Sequence, residues 1–98
     1  MTTFDRVISA VREERKRQDK KWGTQCYQNH FIWLGILSEE VGEFSEALLR
    51  WYFYAGKEGY SKHSQCMKDE LVQVAAVAIA QLEQMEIEQG ALAEKKQG

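Results

Sequence analysis

Apolar and polar positions follow the helical period along nearly the whole chain. Phe4, Val7, Ile8 and Val11 recur at intervals of three and four, which puts them on one face of a helix. Thr2 or Thr3 is suited to cap its start. The pattern predicts a first helix to about Lys20, with a wholly polar second half. Gly23 opens a loop through Tyr27 and Gln28, and Asn29 is placed to cap a second helix from about His30 to Tyr54. Within it Leu34, Leu37, Val41, Phe44, Leu48 and Trp51 alternate by three and four, a seam for packing on another helix. Gly35, Ser38, Gly42 and Ser45 form a neighbouring stripe of small residues. An internal glycine costs about 1 kcal/mol of helix propensity, so a pair spaced by seven is expected where another backbone comes close.

Gly56 and Gly59 end the second helix and bracket a loop through Tyr60, Ser61 and His63. A third helix is expected from about Ser64 to Gln89, closed by Gly90, with Ala91 to Gly98 as a frayed tail. From Leu71 to Ala80 it is apolar except for Gln73. A helix apolar nearly all round is buried on most sides, which three helices alone do not readily provide. The expected architecture is therefore all-α, a single domain over residues 1–98. Three main helices would form a four-helix-bundle-like core, completed by oligomerisation as a homodimer or tetramer.

Composition narrows the function. An apolar content of 44% fits a globular chain, and a net charge of −2 argues against general nucleic-acid binding. Basic residues nevertheless gather at Arg12, Arg15, Lys16, Arg17, Lys20 and Lys21; this is either a solvated helix face or a place where substrate phosphates are met. The two cysteines, Cys26 and Cys66, make no disulfide framework and no CxxC, so both are expected as reduced thiols in a cytoplasmic protein. The N-terminus carries no signal pattern. No apolar run reaches the ~18 residues of a membrane span.

Two carboxylate clusters carry the chemistry. Glu39-Glu40-Val41-Gly42-Glu43 and Asp69-Glu70-Leu71-Val72-Gln73 lie within apolar helical segments. Glu40 and Glu43 share a helix face, as do Glu70 and Gln73. Glu39 and Glu46 point further round, toward solvent. Like charges so placed repel unless a cation lies between them, and facing carboxylates on a helical core are how hard divalent cations are held. That points to Mg²⁺, or Mn²⁺ in its place, and to phosphate chemistry. Gln73 is either a packed core amide or an oxygen donor facing the metal. His30 is either a capping-region histidine or a substrate contact. Trp22, Trp33 and Trp51 are either core or the walls of an aromatic slot. Di-iron bundles use Glu-x-x-His on two helices, and neither cluster has histidine there. No Gly-rich phosphate loop, G-x-S-x-G or complete zinc ligand set is present.

Glu39-Glu40-x-x-Glu43 followed by Glu70-x-x-Gln73 resembles the EExxE…ExxD pattern of the MazG-like all-α nucleoside triphosphate pyrophosphohydrolases. Glu14-Arg15-x-Arg17-Gln18-Asp19-x-Lys21-Trp22-Gly23 and Leu71-Val72-Gln73-Val74-Ala75-Ala76-Val77-Ala78 are similar to its short bacterial and phage branch. The resemblance covers roughly residues 12 to 83. It implies that Glu40, Glu43 and Glu70 bind Mg²⁺. It implies too that Glu39 assists through water or positions a base, and that Gln73 occupies a fourth ligand's place, where the family has aspartate. The implied reaction cleaves the α–β phosphate bond of a nucleoside triphosphate, giving a monophosphate and pyrophosphate. Lys21, Arg15 or Lys68 would add positive charge, and Trp22, His30, Trp33 and Trp51 would line the nucleotide pocket. The rival expectation is a non-catalytic helical module that binds a nucleotide or a protein and has lost a metal ligand at Gln73.

Overall fold

A computed structural model describes the backbone of residues 1–23 and 27–97, with side chains to residue 92. Its helices are α1 (Thr3–Trp22), α2 (His30–Phe53) and α3 (Tyr60–Gln97). The fold is all-α, with no strand among the described residues. None of these helices is long and apolar enough to cross a membrane. Cys66 is free and exposed; Cys26 lies outside the described residues.

The helix ends follow local chemistry. The Thr2 hydroxyl accepts from the Asp5 N–H at 3.1 Å while the Asp5 carboxylate accepts from the Thr2 N–H at 3.0 Å. This reciprocal cap stabilises α1 by about 1 kcal/mol. Asn29 caps α2 by accepting from the Phe31 N–H at 2.8 Å. Gly56 and Gly59 take φ of +72° and +89°, a region open to glycine at little cost, and turn the chain back on itself. The Gly59 carbonyl accepts from the His63 N–H at 3.0 Å, so α3 starts at Tyr60 rather than near Ser64. It also continues through Gly90 to Gln97. Ala91, Leu92 and the residues beyond are good helix formers, so one glycine there weakens the helix without ending it.

Trp33 reaches Gln84 and Trp51 lies against Tyr60, with ring centroids 5.9 Å apart, so α2 and α3 run antiparallel. α3 packs on both other helices, and α1 and α2 do not pack on each other. Val11, Trp33, Ala47, Ala76, Val77 and Ala80 form the buried apolar core. Fully burying a side chain such as Trp33 or Val77 contributes roughly 1.5–3 kcal/mol.

The inner face of α2 differs from the expected seam. Trp33 and Ala47 are buried, and Ile36, Leu37, Glu40, Phe44 and Trp51 are partly buried. These positions span an arc of about 100° on a helix of 3.6 residues per turn. Leu34, Val41 and Leu48 are instead 56%, 43% and 39% exposed. The reason is that α2 is apolar on two sides, and Trp33 and Ala47 select the one turned toward α3. No backbone approaches the small stripe within the chain, since a Cβ on Gly35 or Gly42 would meet nothing within 4 Å. α3 is likewise only partly covered, with Leu71 and Leu82 exposed. The polar second half of α1 buries Glu14 and Gln18. The molecule is long, 63 × 34 × 20 Å. Its radius of gyration, 16.8 Å, exceeds the roughly 13 Å of a compact chain this size.

Candidate metal centre

Antiparallel packing of α2 on α3 brings the two acidic segments together. Glu40 and Glu43, one turn apart on α2, meet Glu70 of α3, and one carboxylate oxygen from each lies within 4.8 Å of the others. A cation at 2.0–2.6 Å from each oxygen spans about 4–5 Å across its shell, so the spacing fits one ion. Glu40 and Glu70 are half-buried and Glu43 is exposed. Oε2 of Glu40 and Oε2 of Glu70 are both buried without a hydrogen-bond partner. A buried carboxylate oxygen lacking a donor is costly unless a proton or a cation meets it.

The electrostatics agree. Burial pushes the Glu40 carboxyl above its ordinary range, and the charges of Glu43, Glu70, Glu39 and Glu14 add to that. Burial does the same to Glu70, reinforced by Glu43, Asp69 and Glu14. No cationic side chain forms an ion pair with Glu40, Glu43 or Glu70 among the described residues. The donor set is all oxygen, which suits a hard ion such as Mg²⁺ or Mn²⁺.

The other residues singled out in the sequence fall into separate places. Glu39 is exposed on α2, close enough to disfavour the charge on Glu40. Gln73, one turn after Glu70, lines a groove with Glu14, Arg17, Gln18, Lys21, Trp22 and Glu40. Lys21 and Trp22 thus share that groove with Glu40. Lys68 shares a second cleft, between α1 and α3, with Gln73 and Arg17. Arg15 is held elsewhere, bonded to Glu83 at 2.9 Å, Asp19 at 3.0 Å and Gln18 at 3.1 Å.

Trp33 is 2% exposed, and its indole N–H donates to Gln84 Oε1 at 2.8 Å. It is a core residue that also forms one wall of a small pocket with Trp22, Tyr27 and Ile87. His30 bonds Glu88 through Nε2 at 3.0 Å and Gln81 through Nδ1 at 3.1 Å. The Gln81 amide nitrogen faces Nδ1 and the Glu88 carboxylate faces Nε2, so the ring is held from both sides. Gln84 completes this network. Its oxygen accepts from the Gln28 N–H at 3.0 Å, and its amide donates to the Gln28 carbonyl and to Glu88 Oε1, both at 2.7 Å. Trp51 lies about two helical turns beyond Glu43, and its indole N–H is buried without a partner.

Glu14 and Gln84 were given no role by the sequence patterns, whereas Arg17 stood in the basic run. Val11, Glu14 and Gln18 continue the spacing of Val7 and Val11, so the buried face of α1 was present as spacing but hidden by polar residue types. Comparison with protein-family models, with curated proteins and with solved structures finds no match.

Proposed function

We propose that the chain is a divalent-cation-dependent nucleoside triphosphate pyrophosphohydrolase of the MazG-like kind. It would add water across the α–β phosphoanhydride to give a nucleoside monophosphate and pyrophosphate. The observation that carries this is the meeting of Glu40, Glu43 and Glu70 with two buried, partnerless carboxylate oxygens. Glu40, Glu43 and Glu70 would hold Mg²⁺, whose chemistry would be to acidify water and neutralise developing charge. Glu39 is the exposed carboxylate adjacent to this set and is assigned to orient the attacking water and accept its proton. Lys21 and Arg17 beside the groove, and Lys68 beside the cleft, are assigned to the phosphates, and Trp22 to the face of the base. Arg15 is withdrawn from that role by its bonds to Glu83 and Asp19.

Self-association belongs to the same proposal. The exposed face of α2, with Leu34, Val41 and Leu48 beside the open Gly35 and Gly42, is suited to a second copy of the chain. One observation favours a non-catalytic alternative: Gln73 brings no charge to the site. The distinguishing experiment is product analysis of the purified protein with each common nucleoside triphosphate, with and without Mg²⁺. Equimolar monophosphate and pyrophosphate, lost in Glu70→Gln, supports the enzyme. Nucleotide binding without turnover under every condition supports the binding module.

A further inference from the structure

Gln18 is 5% exposed in the charged half of α1. Nη1 of Arg15 donates to its side-chain oxygen at 3.1 Å. A guanidinium only donates, so the end of the amide that meets Arg15 is the oxygen and the far end is the nitrogen. Arg15 is itself pinned, by Glu83 of α3 at 2.9 Å and by Asp19 at 3.0 Å. The orientation of Gln18 is therefore set from α3 through Arg15. Its amide nitrogen bonds nothing among the described residues, although buried side-chain amides are ordinarily hydrogen-bonded. Gln18 lines the groove that it shares with Lys21, Trp22, Glu40 and Gln73. The groove has a volume of about 250 Å³, whereas roughly 150 Å³ holds a benzene ring.

We propose that Gln18 reads the base of a nucleotide lying in this groove. It selects a base with a carbonyl at the position where adenine and cytosine carry an amino group. This rests on the reading of the chain as a nucleoside triphosphate hydrolase. Trp22, 37% exposed in the same groove, offers its face to the ring. An unrestrained amide pairs with adenine through both ends, donating to N7 and accepting from the amino group. Gln18 does not, because Arg15 holds its oxygen. Only its donor is left, and an N–H aimed at an amino group meets a second donor. Guanine O6 and the O4 of uracil or thymine are acceptors that complete it. The two carboxylates of the groove do not offset this choice. Glu14 is paired with Arg17, and Glu40 belongs to the candidate metal centre.

The test is nucleotide choice among GTP, UTP, ATP and CTP and their deoxy counterparts. It is read as kcat/KM with Mg²⁺ and as calorimetric affinity with Ca²⁺ in its place, on wild type, Gln18→Glu and Arg15→Met. Wild type is expected to favour the guanine and uracil nucleotides over those of adenine and cytosine by at least about fivefold. Gln18→Glu keeps an oxygen for Arg15 and turns the groove-facing donor into an acceptor, so the order should reverse. Arg15→Met releases the amide to turn either way, so the four should fall within about twofold of one another. Each comparison is between nucleotides on one variant, so a general loss of affinity cancels. A wild type without that preference overturns the proposal before any variant is made. An order unchanged in Gln18→Glu, or in Arg15→Met should the first variant not fold, overturns it by making Gln18 a packed amide. Turnover alongside either result leaves the hydrolase standing. The expected preference in binding, reversed in Gln18→Glu but without turnover, supports the role of Gln18 and removes the hydrolase. No binding of any nucleotide removes both.

Discussion

Glu40 of α2 and Glu70 of α3 meet across the helix interface, each with one carboxylate oxygen buried and unbonded. Burial and neighbouring acids raise both carboxyls above their ordinary value of 4.5. Between that value and their raised values, the folded state holds protons that the unfolded chain releases. Stability from this pair therefore falls as pH rises through that window and is constant above it. Below about 4.5 both states are protonated and the pair contributes nothing. Thermal melts from pH 4 to 8 in chelator should show wild type losing a few degrees against Glu70→Gln as pH rises. A difference that stays flat across the range would contradict the shifts.

Glu43 is the exposed member of the set, so its replacement is the gentlest way to remove a ligand. Glu43→Gln should leave the fold intact and slightly stabilise the metal-free protein by relieving repulsion. It should lower Mg²⁺ affinity about tenfold or more. The readout is the Mg²⁺-induced rise in melting temperature at pH 7.5, present in wild type and absent in the variant. Equal rises in both would make these glutamates ordinary charges.

Gln84 saturates its hydrogen-bonding capacity against Trp33, Gln28 and Glu88. Gln84→Ala leaves the Trp33 indole N–H buried and unpaired, at a cost of roughly 1–3 kcal/mol for that group alone. Denaturant unfolding should show a loss of about 2–3 kcal/mol or more, with altered tryptophan fluorescence in the folded baseline. A loss under about 0.5 kcal/mol would mean that water replaces the amide freely.

Val41 sits between Leu34 and Leu48 on the uncovered face of α2. Light scattering at micromolar concentration should give at least a dimer for wild type and a monomer for Val41→Glu. A wild type that is monomeric and thermally robust would remove the case for a second copy on that face.

The first two helix starts were legible because periodicity and caps agree at Thr2 and Asn29, while α3 begins at Tyr60, directly after Gly59 and earlier than the expected start near Ser64. The rotation of α2 was not legible. Its apolar positions cover two sides, and only the burial of Trp33 and Ala47 against α3 decides which side faces in. The end of α3 was also misplaced, because Gly90 looks like a terminator while the residues after it favour helix. In the candidate site, Glu40, Glu43 and Glu70 were legible from spacing, since three-residue intervals put acids on one face and antiparallel packing joins the faces. The burial of Glu14 was not legible, because a glutamate in a charged run looks solvated until α3 covers it. Trp33 and His30 were expected near the nucleotide. Their bonds to Gln84, Gln81 and Glu88 tie the start of α2 to α3.

The most direct measurement is a crystal structure grown with Mn²⁺ and recorded for anomalous scattering. A metal centre predicts a peak about 2.2 Å from oxygens of Glu40, Glu43 and Glu70 together. No peak among the three side chains at millimolar Mn²⁺, with the carboxylates splayed apart or paired with lysine or arginine, would contradict it.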